Sequence, residues 1–365
     1  MTAEVAIVDG RTVGFGIVGC GVISKWHAMA VADLPGATLV GVTDAQPERA
    51  EQAAARFGTE CVPDLDSLLA RDDLDVVCVC TPSGLHAEVG VQAARAGKHV
   101  IVEKPIDVSL EAADRLITAC REAGVRLGVI FQHRFDDGVQ ALRDLIDSGR
   151  LGRLLLGAAA TKWYRTQEYY DSGAWRGSWE LDGGGCLMNQ GVHYVDLLQW
   201  MMGPVERVVA QMGTLDHDIE VEDAAMAMLT FAGGAMGTLE GSTVTFPGLP
   251  ERLEVSGTGG SVVIDDGEIS LRELKDERGE TGAYGAKRDV RPVHSPRPSG
   301  AADPAAIRHE GHRRQFADFL EALRTGRDPL VTGEEGRKSL EIILAVYESA
   351  RTGRPVTLSR TPARV

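Results

Sequence analysis

A chain of 365 residues exceeds the size at which one hydrophobic core usually stops growing, so two domains are expected. With 44% hydrophobic and 25% charged residues it has the balance of a globular protein, and no run approaches the ~20 apolar residues that carry a helix across a bilayer. A net charge of −15 repels polyphosphate and argues against a nucleic-acid partner.

The opening stretch MTAEVAIVDGRTVGFGIVG has no basic start, apolar run and cleavage site, and leads straight into a predicted strand, which points to the cytoplasm. The six cysteines are scattered, unlike a secreted disulfide framework, so free thiols are expected. Cys78 and Cys80 share one face of a strand as small apolar residues, and no metal site is expected.

From Val13 to about Ile130, short apolar runs alternate with longer amphipathic ones, the pattern of βαβ units around a parallel sheet. VGFGIV, TLVGVT, DVVCVC, KHVIVE and VRLGVI read as strands; Val22 to Asp33, Pro47 to Phe57, Leu85 to Ala96 and Leu110 to Ala123 read as helices. Residues 1–134 are therefore expected to form a doubly wound α/β domain whose ligand lies beyond the carboxyl ends of its strands. After a helix ending near Ser148, the texture changes. LLLGAAATKW, VERVVAQMG, DAAMAMLTF, GAMGTLEGSTVTF, ERLEVSG, GSVVID and EISLREL, joined by short turns, predict an α+β domain over 135–365 built on an open, mainly antiparallel sheet. Residues 275–305 read as a surface excursion or partly disordered loop, and helices over Arg308 to Leu323 and Glu334 to Arg351 close the chain, with the option of packing back on the first domain.

Gly19 and Gly21 fall where the first strand gives way to a helix opened by Val22 and Ile23, so a tight turn can bring a pyrophosphate to a helix N-terminus. Ser24 stands where the full fingerprint has its third glycine. Asp44 ends the second strand 23 residues after Gly21, near the offset of the acid that bonds a ribose 2′-hydroxyl, and its charge selects NAD over NADP. Thr81, Pro82 and His86 follow the third strand at the cofactor crevice; His86 is either a helix-start hydrogen-bond group or a ligand contact. Glu103 and Lys104 follow the fourth strand beside the expected nicotinamide, where a lysine can donate to a substrate oxygen, unless it is only a surface lysine.

Trp163, Tyr164, Arg165, Tyr169, Tyr170, Trp175, Arg176 and Trp179 concentrate rings and guanidinium groups within 17 residues, the composition of a sugar-binding wall, with a packed loop or subunit contact as the alternative. Lys162 and Arg134 are weaker anion-ligand candidates, and His309 and His312 read as solvated or structural. Beyond the Gly183-Gly184-Gly185 turn, Asn189 and His193 are four apart and share a helix face, placing a hydroxyl ligand beside a proton acceptor or, more plainly, a core histidine.

GCGVIS, VGVTDAQPERA, TPSGLHAE, GKHVIVEKPI, DGGGCLMNQGVHYVDLLQW and EGRKSLEIILAVYESARTG resemble the Gfo/Idh/MocA oxidoreductase family in order along nearly the whole chain. The resemblance implies an N-terminal Rossmann domain, a C-terminal open sheet that often builds homo-oligomers (dimers or tetramers), NAD as cofactor and hydride transfer on sugars, cyclitols or related polyols. It makes Lys104 the catalytic or substrate-orienting lysine and His193 the acid/base. Many family members carry Asp where this chain has Asn189, so the inositol-dehydrogenase type of Lys, Asp, His set is incomplete here. Three alternatives stay open: a nucleotide-sugar dehydrogenase, an enzyme that retains its NAD through turnover, and a non-catalytic NAD-sensing module.

Overall fold

The computed structural model describes residues 11–173, 175–277 and 309–358. The chain divides into two compact units, one comprising Met1–Gln132, Ser178–Gly183 and Arg308–Leu340, the other His133–Gly177, Gly184–Ile307 and Glu341–Val365. Most of the expected excursion over 275–305 lies outside the described residues, which reach only a single turn at Lys275–Glu277 there.

In the first unit, strands β1 (Val13–Val18), β2 (Ala37–Thr43), β3 (Val76–Val79), β4 (His99–Val102) and β5 (Leu127–Val129) form a parallel sheet in the order β2-β1-β3-β4-β5. A further parallel bridge, Val42 to Cys61, is fastened by Val42 N–H to the Glu60 carbonyl and Val62 N–H to the Val42 carbonyl, each 2.9 Å. Counting that rudimentary strand outside β2 restores the six-position dinucleotide-binding order, with the reversal of strand order between β1 and β3. Helices α1 (Ser24–Ala32), α2 (Pro47–Phe57), α3 (Leu65–Leu69), α4 (His86–Arg95) and α5 (Leu110–Ala123) supply the connections. Proline opens α2, where a missing N–H costs nothing, and the Ser109 hydroxyl accepts from Ala112 N–H to cap α5.

The central strands β1 and β3 are buried on both faces, which is why they read as unbroken apolar runs. One face packs against α1 and against α9 (Glu310–Thr325), nearly two hundred residues beyond β5: Phe15, Ile17, Val31, Cys78 and Ile101 meet Phe316, Phe319 and Leu320. Phe15 and Phe316 stack at 5.9 Å.

In the second unit, α6 (Asp137–Asp147) precedes β6 (Leu154–Lys162), α7 (Gln167–Asp171), a π-helical turn (Cys186–Gly191) and α8 (Val192–Met202). Then follow β7 (Val205–Gly213), β8 (Ala224–Phe231), β9 (Met236–Ser242), β10 (Arg252–Gly257), β11 (Gly260–Asp265), β12 (Glu268–Leu274) and, after α10 (Gly333–Thr352), the short β13 (Val356–Thr357). The sheet order is β12-β11-β10-β6-β9-β8-β7-β13, antiparallel except where β6 and β9 run parallel in the centre. That exception arises because α8 carries the chain back across the sheet before the β7-β8-β9 meander. On the covered face Gly157 admits Met202 and Leu198 of α8; a Cβ there would lie 2.8 Å from the Met202 side chain. On the other face Leu156, Met226, Met228 and Met236 stay exposed.

Because α9 completes a core begun by the first strand, truncating its central ring opens a cavity. Phe316→Ala is expected to cost roughly 3–5 kcal/mol, read as a lower urea midpoint of the far-ultraviolet circular dichroism signal.

Candidate functional site

At the end of β1, Gly19 adopts φ +94°, and a Cβ there would stand 2.6 Å from the Cys80 carbonyl oxygen. The loops after β1 and β3 therefore meet backbone to backbone at the switch point, and only glycine permits it. Gly21 is exposed and a Cβ on it would meet no atom within 4 Å. Packing does not demand glycine there, whereas close approach of a pyrophosphate does. No side chain caps α1, although the Ser24 hydroxyl turns back to the Gly21 carbonyl at 2.7 Å. Val22 is exposed and Ile23 half-buried at the mouth of this turn.

Asp44 is anchored by Cys20 N–H at 2.7 Å and Gln46 N–H at 2.8 Å, one to each carboxylate oxygen. Each oxygen keeps a lone pair for a further donor such as a ribose hydroxyl. Thr81 Oγ1 is buried with no hydrogen-bond partner, beside half-buried Pro82. An orphaned hydroxyl, an open glycine backbone, an uncapped helix start and an anchored acid at the strand end fit a dinucleotide. His86 is buried with Nδ1 2.7 Å from the Pro105 carbonyl and Nε2 3.0 Å from the Thr81 carbonyl, so it ties the loops after β3 and β4 together. Burial lowers its pKa against the pull of those carbonyls.

Glu103, at the carboxyl end of β4, is buried and receives His27 Nε2 from α1 at 2.8 Å, while His312 Nε2 from α9 lies 3.8 Å away. Burial opposes its charge, but the His27 hydrogen bond and the attraction of both imidazoles prevail and hold the carboxyl well below its usual range. These three are the only cluster of metal-ligand type among the described residues. The His27 to Glu103 separation of 2.8 Å is a hydrogen bond, shorter than the roughly 3.3 Å between donors on one tetrahedral zinc. The other Glu103 oxygen accepts from Lys104 N–H at 3.1 Å, so the carboxylate fixes the backbone of the half-buried Lys104.

In the second unit the glycine turn has its own physical cause. A Cβ on Gly185 would sit 1.7 Å from the Glu222 carbonyl oxygen, and one on Gly184 2.1 Å from Tyr347 Oη. The buried Glu222 carboxylate accepts from Gly185 N–H at 2.8 Å, Leu187 N–H at 3.0 Å and the Tyr347 hydroxyl at 2.8 Å. It thereby satisfies the first amides of the helical segment that carries Asn189 and His193. Burial still raises its pKa to about 7. Asn189 sits in the π turn, not in a regular α-helix as expected, half-buried; His193 is buried in the first turn of α8.

The expected wall is an alternating stack. Arg165 lies over Trp163 at 4.7 Å and Tyr169 at 5.4 Å, and Arg176 over Tyr169 at 4.4 Å and Trp175 at 4.5 Å. The Tyr169 hydroxyl accepts from Arg176 at 2.6 Å and from Gln190 of the π turn at 3.2 Å. Tyr164 packs edge-on against Phe246. Three expectations change. Tyr170 is buried, its hydroxyl 2.8 Å from Thr243 Oγ1 and its ring against His217, so it supports the wall from behind. Lys162 is spent on Glu240 at 2.9 Å across the sheet, and Arg134 is buried in a two-pronged bond to Asp196 at 2.7 Å. His309 bonds Asp33 at the surface and His312 is the buried partner of Glu103. Sequence reasoning missed His27, Glu222 and Tyr347, whose partners are remote in the chain, and His133, which bonds Asp136 nearby but packs its ring on the distant His193.

Comparisons with known proteins agree with this geometry. Residues 13–131 match the family model for the oxidoreductase family with NAD-binding Rossmann fold, and residues 139–263 the model for the GFO/IDH/MocA C-terminal domain. The scyllo-inositol 2-dehydrogenase (NAD(+)) of Bacillus subtilis is 29% identical over 94% of this chain and 95% of its own. The structure of the WlbA dehydrogenase from Bordetella pertussis in complex with NADH and UDP-GlcNAcA is similar at 36% identity and TM-score 0.85, covering 97% of this chain and 99% of that one. A levoglucosan dehydrogenase complexed with NADH and levoglucosan is similar at 25% identity and TM-score 0.82, covering 96% and 100%.

A side chain at Gly185 must push the π turn off the Glu222 backbone. Gly185→Ala is expected to destabilise the protein by about 3 kcal/mol, measured as a lower thermal midpoint, with larger loss than Gly21→Ala.

Proposed function

Because this chain belongs to the Gfo/Idh/MocA oxidoreductase family and carries its NAD-binding Rossmann domain, we propose that it transfers a hydride between NAD and a secondary CH–OH of a sugar, cyclitol or sugar derivative. The observation that carries this reading is the pairing of a dinucleotide cradle at the β1/β3 switch point with Lys104, whose backbone Glu103 holds at the end of β4. Bound NAD supplies the hydride acceptor. Asp44 bonds the ribose and repels a 2′-phosphate; Gly19, Gly21, Val22, Ile23, Thr81 and Pro82 line the nucleotide, with His86 and Glu103 bracing the loops.

His193 takes the hydroxyl proton as its carbon is oxidised, and the Lys104 ammonium stabilises negative charge growing on that oxygen. Asn189 orients a neighbouring hydroxyl, which replaces the carboxylate of the inositol-dehydrogenase type with a neutral donor and acceptor. Trp163, Tyr164, Trp175 and Arg176 present ring faces and a guanidinium to the sugar.

One observation favours a second reading, that the substrate is a nucleotide-linked sugar acid: the WlbA dehydrogenase at 36% identity binds UDP-GlcNAcA, and Arg165 and Arg176 both stack on Tyr169 here. Guanidinium groups are the natural ligands of carboxylate and phosphate. Self-association through the bare sheet face is also proposed. Leu156 (52% exposed), Met226 (65%), Met228 (62%) and Met236 (60%) make an apolar patch, and apolar patches of this kind mark interfaces.

The deciding assay follows NADH formation with inositols, aldoses, sugar acids and UDP-sugar acids. Turnover with one class is the expected result; NAD binding without turnover on any of them sinks the reading. Lys104→Met is expected to keep NAD binding while turnover falls by roughly 10²- to 10⁴-fold, and undiminished turnover refutes the lysine's role. Met228→Asp is expected to lower the mass measured by light scattering to that of a smaller assembly.

A further inference from the structure

His133 is a second imidazole beside the one assigned to the chemistry. Its ring packs edge-on against His193, centroids 5.0 Å apart and planes at 78°, and lies 6.1 Å from the ring of Tyr194. Its Nδ1 is 2.7 Å from Asp136 Oδ2. Two more carboxylates act on it through their charge, from the loop before β10 and the turn after β11. Glu251, just before β10, is buried, and its Oε1 has no hydrogen-bond partner. Asp266, in the turn between β11 and β12, has a left-handed φ of 49° and clasps Glu251 in both directions: its N–H donates to the Glu251 carbonyl at 2.9 Å, and its Oδ1 accepts from Glu251 N–H at 3.0 Å. The same turn presses on Asp136, since a Cβ on Gly267 would stand 2.6 Å from Asp136 Oδ2.

Three acids from three separate segments therefore act on one imidazole, Asp136 by direct contact and Glu251 and Asp266 through their charge. Burial works against charge on His133, but Asp136, with Glu251 and Asp266, overrides it and raises the imidazole's pKa to about 9. The acids also repel one another: burial, together with Asp266 and Asp136, lifts Glu251 to about 7 against the pull of His133 and of Arg165. An acid cluster this crowded is costly without the cation at its centre.

We propose that His133 is a positioning residue for the reaction: held as a cation by Asp136, Glu251 and Asp266, it sets positive charge against His193 and keeps that imidazole a neutral proton acceptor. The proposal rests on the reading of His193 as acid/base. Two adjoining imidazolium ions repel, so His193 resists protonation before the substrate arrives and, once it has taken the hydroxyl proton, yields it readily to solvent.

Histidine-selective NMR titration of the whole protein tests this, beside the pH dependence of kcat/KM for oxidation. In the wild type, His133 is expected to be charged at pH values where His193 is still neutral. In His133→Gln, the His193 midpoint and the acidic limb of kcat/KM are both expected to move to higher pH, by about one unit or more. His133→Lys, which keeps a cation, is expected to bring both back toward the wild-type values. A His193 midpoint unmoved in His133→Gln overturns the proposal, as does a wild type in which His193 takes its proton before His133; that second readout needs no variant to fold. If the midpoint moves but His193→Asn retains the acidic limb, the acid/base assignment of His193 fails while the charge coupling stands.

Discussion

A buried carboxylate organises the first unit. Glu103 is a charge inside an apolar core, and removing an ion from water costs several kcal/mol unless partners repay it. His27 and His312 do so from α1 and α9, and the second carboxylate oxygen holds the backbone N–H of Lys104. The helix α1 that follows the glycine turn, the strand end that bears the lysine and the helix that closes the core near the end of the chain are thus gathered around one group. Moving any of them leaves charge unpaired in a medium where the interaction is strong. The fixed backbone of Lys104 follows from a requirement of folding.

The second unit repeats the device with a different balance. Glu222 stands at the start of the helical segment carrying Asn189 and His193, accepting from two of its first amides and from Tyr347. Its hydrogen-bond partners are amide N–H groups and a hydroxyl, so burial weighs more and the carboxyl rises to about 7, whereas that of Glu103 falls. The glycines of the turn let the backbone come close enough for this bonding, and the π turn in which Asn189 sits follows directly. In both units a buried acid holds backbone amides at or close to a candidate site residue: Lys104 N–H in the first, Gly185 and Leu187 N–H in the second.

How much was legible depended on whether the deciding contacts were local. VERVVAQMG, GSVVID and EISLREL match β7, β11 and β12 to the residue, because short runs rich in β-branched and apolar residues bounded by turns are written into consecutive positions. Gly19 and Asp44 were readable because a strand, a turn and a helix start are neighbours in sequence. The parallel pairing of β6 with β9 was not, since alternation reports that a strand has two faces and not which strand lies beside it. Short elements such as α3 and β13 escaped because a few residues carry no period. Lys162 and Arg134 looked like ligands only until Glu240 and Asp196 arrived from other elements to neutralise them.

By itself, then, the sequence determined the class of the two domains, the nucleotide turn, the lysine at the end of β4 and the histidine of α8, because each is signalled by residue type and spacing within a few positions or by family resemblance. The tertiary structure alone decided which of those groups are held in place and which charged side chains gather near them. His312 completes Glu103 from 209 positions away, Tyr347 completes Glu222, and Asp136, Glu251 and Asp266 gather around His133 from three elements. Electrostatic energy depends on distance through space and on burial, and neither is a function of distance along the chain.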